Sequence, residues 1–231
     1  MRQIVLDTET TGLDPYQGHR LVEIGCVEIV NGIPSGQTFH RYLNPEREMP
    51  EEAFAVHGLS ADFLRDKPMF AEVAGELLAF IADAPLVAHN AIFDLGFLNA
   101  ELDRVGRPAI ARERLIDTLL IARRKHPGSS NRLDDLCVRY GIDNSRRTKH
   151  GALLDAEILA EVYLELIGAR QAQLILVESG VTAVGVETGA VIIRVRPRPL
   201  APRLTVEERE AHLAFVGTLG ESAIWRQYLG A

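Results

Sequence analysis

Asp7 and Glu9 stand two positions apart at the end of a hydrophobic run, Ile4-Val5-Leu6. In an extended strand, residues i and i+2 point to the same side, so the two carboxylates share one face while Leu6 and Thr8 take the other. Carboxylates held this close repel each other, and burial deepens the penalty. Either one of them takes a proton or a cation sits between them. Taken alone, the pair also fits an ordinary strand end at the surface, so the rest of the chain must decide.

Three further stretches bear on the choice. Asp94 lies in HNAIFDLGFL, at the start of a helical pattern, where a helix N-terminus favours a carboxylate. Asp155 lies one turn inside a helical pattern in KHGALLDAE, five residues after His150. His57 precedes Gly58 in AVHGLS, at an expected helix end. Each has a bland explanation: a cap, a solvent-facing acid, a helix-terminal histidine. With Asp7 and Glu9 they bring four acids to element ends in separate parts of the chain, with His150 five residues before the last of them. Hard divalent cations such as Mg²⁺ take oxygen ligands, few from protein and the rest from water and phosphate. Two such ions ~4 Å apart can clamp the attacking and leaving oxygens of a phosphate displacement. That chemistry needs several carboxylates and a group to take the proton of the attacking water, and neutral histidine suits the task near pH 7.

The elements that must position these groups follow from periodicity. Residues 2–9 read as a strand, 20–30 as a second with alternating apolar and polar positions, and 36–43 as the return of a hairpin across Asn31-Gly32. Helical spacing follows in MPEEAFAVHGL, over 70–83, and over 91–105, with Gly106 and Pro108 as stops. Residues 85–89 and 115–117 are short strands, and 117–125, 131–140 (capped by Ser130 or Asn131) and 151–167 are further helices. Three strands followed by alternating strands and helices imply an α/β fold, a mixed five-stranded sheet with helices on both faces, ending near Gly168. Beyond it, RVRPRPLAPRL reads as an extended linker. Thr205 and Glu208 form a capping box that opens a helical tail carrying Phe215 and Trp225.

Composition narrows the class. The chain of 231 residues is 47% hydrophobic and 25% charged, as expected of a soluble globular protein. No apolar run reaches the roughly 18 residues of a membrane helix. Asp7 comes too early for a secretory leader, and Cys26 and Cys137 read as reduced buried thiols, so a cytoplasmic location is expected. A net charge of −7 argues against a bulk electrostatic grip on nucleic acid, though not against local action on it. Basic residues cluster at Arg123, Arg124, Lys125 and His126, and again at Arg146, Arg147, Lys149 and His150. Helix ends alone could account for the first cluster.

The ordered set D-x-E-T-T-G, H-N-A-x-F-D and H-x-x-x-x-D resembles the histidine-type branch of the DEDD 3′–5′ exonucleases, and within it the epsilon proofreading subunits of bacterial DNA polymerase III. The likeness spans roughly residues 3–168 and departs at none of the five catalytic positions. It implies a ribonuclease H-like sheet. It implies that Asp7, Glu9, Asp94 and Asp155 ligate two Mg²⁺ or Mn²⁺ ions, with Asp7 bridging, and that His150 is the general base. It implies that Thr8, Thr10, Gly12 and His57 contact the terminal nucleotide, with Asn90 and Phe93 in the second motif.

The resemblance also divides the chain into an exonuclease domain (1–168), a linker (169–204) and a tail (205–231) that binds the polymerase alpha subunit, with Trp225 at its end. Gln171, Leu174 and Leu176 resemble a weak peptide for the sliding clamp. The substrate would be a single-stranded or frayed 3′ end of DNA, released as nucleoside 5′-monophosphates. An exoribonuclease of the same branch, and a polymerase-stabilising subunit without catalysis, remain open alternatives.

Overall fold

The computed structural model describes residues 1–147, 149–169 and 205–220. The chain divides into two compact units, Met1–Leu174 and Ile175–Ala231.

In the first unit, β1 (Arg2–Thr10), β2 (Leu21–Val30) and β3 (Ile33–Tyr42) form an antiparallel meander. β4 (Leu86–Ala88) and β5 (Leu115–Asp117) extend it in parallel to β1, giving the order β3-β2-β1-β4-β5. The β2–β3 turn is the two-residue Asn31-Gly32, both at positive φ (52° and 78°). That is the backbone a tight hairpin needs and the reason for an Asn-Gly pair there. β3 begins at Ile33, three residues earlier than 36, because so short a turn lets pairing start at once: Val30 lies opposite Ile33.

The first unit's helices are α1 (Glu51–His57), α2 (Ala61–Leu64), α3 (Phe70–Ile81), α4 (Ala91–Arg104), α5 (Thr118–Lys125), α6 (Leu133–Tyr140) and α7 (Ala152–Leu166). They cover both sheet faces, as the strand pattern implies. Ile4 and Leu6 turn towards Phe70, Val73 and Leu77 of α3 and Ala91 and Leu98 of α4. Val5, between them in sequence, turns the other way with Val27, Ile29 and Val87 towards Ala156, Leu159 and Tyr163 of α7. Strand alternation thus distributes one apolar run between two cores. A third cluster joins α5, α6 and α7 through Ala122, Leu136, Cys137 and Val162. Cys26 and Cys137 are both free and buried, as read from the sequence.

One short helix has no counterpart in the sequence reading, and one expected cap is corrected. The four-residue helix α2, capped by Ser60, has no periodic signal long enough to read from sequence. α6 starts at Leu133 with Arg132 at its cap position and no capping side chain, so neither Ser130 nor Asn131 caps it. Both polar side chains have other bonds: the Ser130 hydroxyl donates to Asp135, and the Asn131 amide donates to the Ser129 carbonyl at 2.9 Å.

The second unit contributes α8 (Val206–Thr218), with Thr205 and Glu208 forming the reciprocal capping box. Gln171, Leu174, Leu176 and Trp225 lie outside the described residues.

Candidate active site

The acids converge because three elements end at the same edge of the sheet. β1 delivers Asp7 and Glu9 at its carboxyl end. β4 runs parallel to β1, so the chain leaves it at that same end and enters α4, whose first turn carries Asp94. Crevices outside the carboxyl ends of parallel strands are where α/β sheets gather functional groups. Asn90, at the cap position of α4, sits in the left-handed region (φ 68°), and the tight corner it makes starts the helix one residue later.

α7 brings the fourth acid from the opposite layer. Its amino end rests on β2 at Gly25, the residue paired with Asp7. A Cβ on Gly25 would lie 2.2 Å from both the Ala152 carbonyl carbon and the Leu153 nitrogen. Only a glycine lets the helix come this close, and the approach carries Asp155, one turn further on, down onto the face of Asp7 and Glu9. Asp155 is 2% exposed, so it is a buried site acid rather than a solvent-facing one.

The atoms agree with this convergence. Ligand atoms of Glu9, His150 and Asp155 lie within 4.8 Å of one another. Asp94 Oδ1 accepts a hydrogen bond from the Thr8 hydroxyl at 2.7 Å, which ties α4 to the opposite face of β1. Asp7 and Asp94 stand outside the tight trio, yet Asp7 is raised electrostatically by Asp94, Glu9 and Asp155 together.

Electrostatics separates these acids. Burial first, then Asp94, Glu9 and Asp155, push the Asp7 carboxyl well above the usual carboxylate range. Burial, with Asp155, Glu23 and Asp94, raises Glu9 to about 8. Burial raises Asp94 to about 7 against the opposing hydrogen bond from Thr8. Asp155 goes the other way: burial pushes it up, but hydrogen bonds from His150 and Arg147 outweigh burial and hold it below the ordinary value. Glu9 Oε1 is buried with no hydrogen-bond partner. Crowded, desolvated oxygens, one of them orphaned, form a donor set that a hard divalent cation would satisfy. The residues therefore fit the metal that the resemblance implies.

His150 lies on the loop before α7 with its side chain about half exposed, its Nδ1 3.2 Å from Asp155 Oδ2 and 2.8 Å from Arg147 Nη2. Its backbone N–H donates to the Val56 carbonyl, so the loop is pinned to α1.

Two hollows flank the acids. One, of about 560 Å³, is lined by Thr8, Thr10, Gly12, His57 and Phe93 together with Glu9. Of the residues expected to bind substrate, Asp7, Asn90 and Asp155 are not on its wall; Asp7 and Asp155 border the second hollow instead. His57 is buried; burial lowers its pKa, its Nδ1 accepts the Leu59 N–H at 3.0 Å, and its Nε2 has no hydrogen-bond partner. The other hollow, of about 850 Å³, is bordered by Asp7, His150 and Asp155 together with Arg123, Arg132 and Arg147. This places members of both basic clusters beside the acids. Nothing in the sequence marks Gly25 or Arg147 as site residues: a lone glycine in a strand has no periodic signature, and Arg147 is one cation among several in its cluster.

A family model described as "Exonuclease" matches residues 4–163. The chain is 47% identical over 226 residues to the DNA polymerase III subunit epsilon of Rickettsia felis, covering 96% of this chain and 99% of that protein. To the subunit of the same name from Escherichia coli K12 it is 46% identical over 236 residues, covering 97% of each. Among solved structures, exonuclease X in complex with 5′ overhanging duplex DNA matches with a TM-score of 0.55 and 25% identity, over 72% of this chain and 92% of that one. The nuclease domain of 3′hExo, a DEDDh family member bound to rAMP, has the same fold, with a TM-score of 0.63 and 18% identity over 73% of this chain and 92% of that one. Sheet, acid cluster and histidine thus define a metal-dependent 3′–5′ exonuclease domain. More narrowly, the chain belongs to the DNA polymerase III epsilon subunit family.

Proposed function

We propose that this chain is a proofreading exodeoxyribonuclease, removing mismatched 3′-terminal nucleotides during DNA replication and working beside a replicative polymerase. The observation that carries the site assignment is the convergence of Asp7, Glu9, Asp94, Asp155 and His150 from separate elements at one sheet edge. Asp7, Glu9, Asp94 and Asp155 would hold two Mg²⁺ or Mn²⁺ ions, which when bound supply Lewis-acid stabilisation of the phosphoryl and leaving oxygens.

The chain's own groups do the rest. His150, half exposed beside Asp155, accepts the proton of the attacking water. Thr8, Thr10, Gly12, His57 and Phe93 receive the terminal nucleoside in the smaller hollow, where His57 Nε2 is available for a hydrogen bond. Asn90 sets the corner that aims Asp94. No residue needs to read a base, because fraying a terminal pair costs a few kcal/mol and least when it is mismatched. The names of the relatives support DNA as substrate and a place beside DNA polymerase III; in this reading residues 205–231 bind the polymerase alpha subunit. Within this reading, Gln171, Leu174 and Leu176 serve as a clamp-binding peptide and Trp225 as an anchor on the polymerase. Residues 169–204 act as the tether, and the protein works in the cytoplasm.

The test is digestion of a 5′-labelled DNA primer annealed to its template, with either a matched or a mismatched 3′ end. Shortening by single nucleotides, faster from the mismatch and abolished by EDTA, is expected. Faster digestion of an RNA strand of the same sequence than of single-stranded DNA would instead favour an exoribonuclease.

A further inference from the structure

We propose that Arg147 is a built-in counter-cation for Asp155, which a divalent ion must displace, and that Asp134 holds the guanidinium when it gives way. This inference rests on the reading of Asp155 as a metal ligand. Arg147 is 8% exposed at its side chain and holds both Asp155 oxygens, Nε to Oδ1 at 2.5 Å and Nη2 to Oδ2 at 2.8 Å. Its remaining nitrogen, Nη1, donates to Asp134 Oδ1 at 2.6 Å. The planar fork of arginine is suited to this two-sided grip, and lysine would not reproduce it.

The arrangement is asymmetric in a way that points to exchange. Asp155 is buried, at 2% exposed, whereas the Asp134 side chain is 59% exposed on the first turn of α6. Asp134 is itself steadied by the Asn144 amide at 3.0 Å. An ion drawing on Asp155 meets a guanidinium already occupying both of its oxygens, and two cations on one carboxylate repel. Arg147 can yield Asp155 without losing all pairing, because Asp134 remains outside the cluster. Nη2 also lies 2.8 Å from His150 Nδ1, so the same shift releases the imidazole to pair with Asp155 alone. Arg147 would thus be a positioning residue, setting the affinity of the site for its ions and their coupling to His150.

The test is Mn²⁺ binding to the full chain by calorimetry, with thermal unfolding in EDTA and in Mn²⁺ alongside. Removing an ordinary supporting partner weakens metal binding about 10–100-fold. Here the opposite is expected: Arg147→Met binds Mn²⁺ about tenfold more tightly, unfolds at a lower temperature in EDTA and gains more from Mn²⁺ than the wild type. Asp134→Asn, with the exchange partner gone, binds Mn²⁺ several-fold more weakly (about threefold, the effect of roughly 0.6 kcal/mol). In the Arg147→Met background the same substitution changes nothing, as the double-mutant cycle requires if Asp134 acts through Arg147. Unchanged or weaker binding by Arg147→Met overturns the proposal. If that variant does not fold, Asp134→Asn decides alone, and binding as tight as wild type overturns it. A wild-type chain that binds no Mn²⁺ instead overturns the metal-ligand reading beneath it.

Discussion

The two sides of the acid cluster meet their charge in opposite ways. On the β1–α4 side, Glu9 and Asp94 are buried, Asp7 is half-buried and crowded by them, and the pKa values of all three are raised. On the α7 side, Asp155 is as deeply buried, yet it is held ionised by Arg147 and His150. Burial is therefore not what separates them; the presence of a fixed cation is. The strand side is a set of oxygens whose charge has to be met from outside. The helix side has a charge already met and open to competition.

If that division is right, the largest effect comes from the strand side. Asp7→Ala should lower the rate of 3′ hydrolysis by about a thousandfold or more, the consequence of losing metal-based stabilisation worth several kcal/mol of barrier. Because it removes a carboxylate with a raised pKa, the same variant should unfold no earlier than the wild type in EDTA. Wild-type turnover by Asp7→Ala would break the comparison at its root. On the helix side, His150→Ala should cost about 10²–10⁴-fold, the loss of a general base, while leaving Mn²⁺-induced stabilisation in place. A loss of that stabilisation as well would make His150 a ligand, as its place within 4.8 Å of Glu9 and Asp155 permits.

The strand side was also the more legible from sequence. Asp7 and Glu9 announce themselves by strand alternation, and the parallel pairing of β1 with β4 needs only one crossover to bring Asp94 to the same edge. The helix side depends on contacts between layers, which no local period encodes. Asp155 reads equally well as a solvent-facing helical acid until α7 is set down on Gly25. Arg147 is one of several cations until its fork is seen on two carboxylates. Gly25→Ala separates these two sources of information. Its Cβ meets helix backbone rather than a flexible side chain, and overpacking of this kind costs about 1–3 kcal/mol. Activity should fall by more than stability alone explains, because the displaced element carries Asp155. A Gly25→Ala chain of normal activity would show that α7 can retreat without moving its acid.

The smallest effect, and the one that tests the electrostatic division itself, is the pH dependence of stability in metal-stripped protein. Glu9 moves from an ordinary 4.5 to about 8 on folding, and Asp94 from 3.8 to about 7. Between those values the folded state keeps protons that the unfolded chain releases. The stability these groups contribute is complete below about pH 4 and is lost as the pH rises through 7 to 8. Asp155, held low, has the opposite sign, but its contribution is lost only as the pH falls below the ordinary carboxylate range. From pH 5 to 8 the lowered pKa values of His57, His89 and His126 oppose this slope, but the two acids carry the large shifts, so the unfolding temperature in EDTA should show a net fall of at least a few degrees. Saturating Mn²⁺ should flatten or reverse the slope, because the ion binds the ionised carboxylates and competes with the protons. A metal-stripped chain that grows more stable over this range would mean that the β1–α4 acids are already paired within the protein, and the contrast between the two sides would fail.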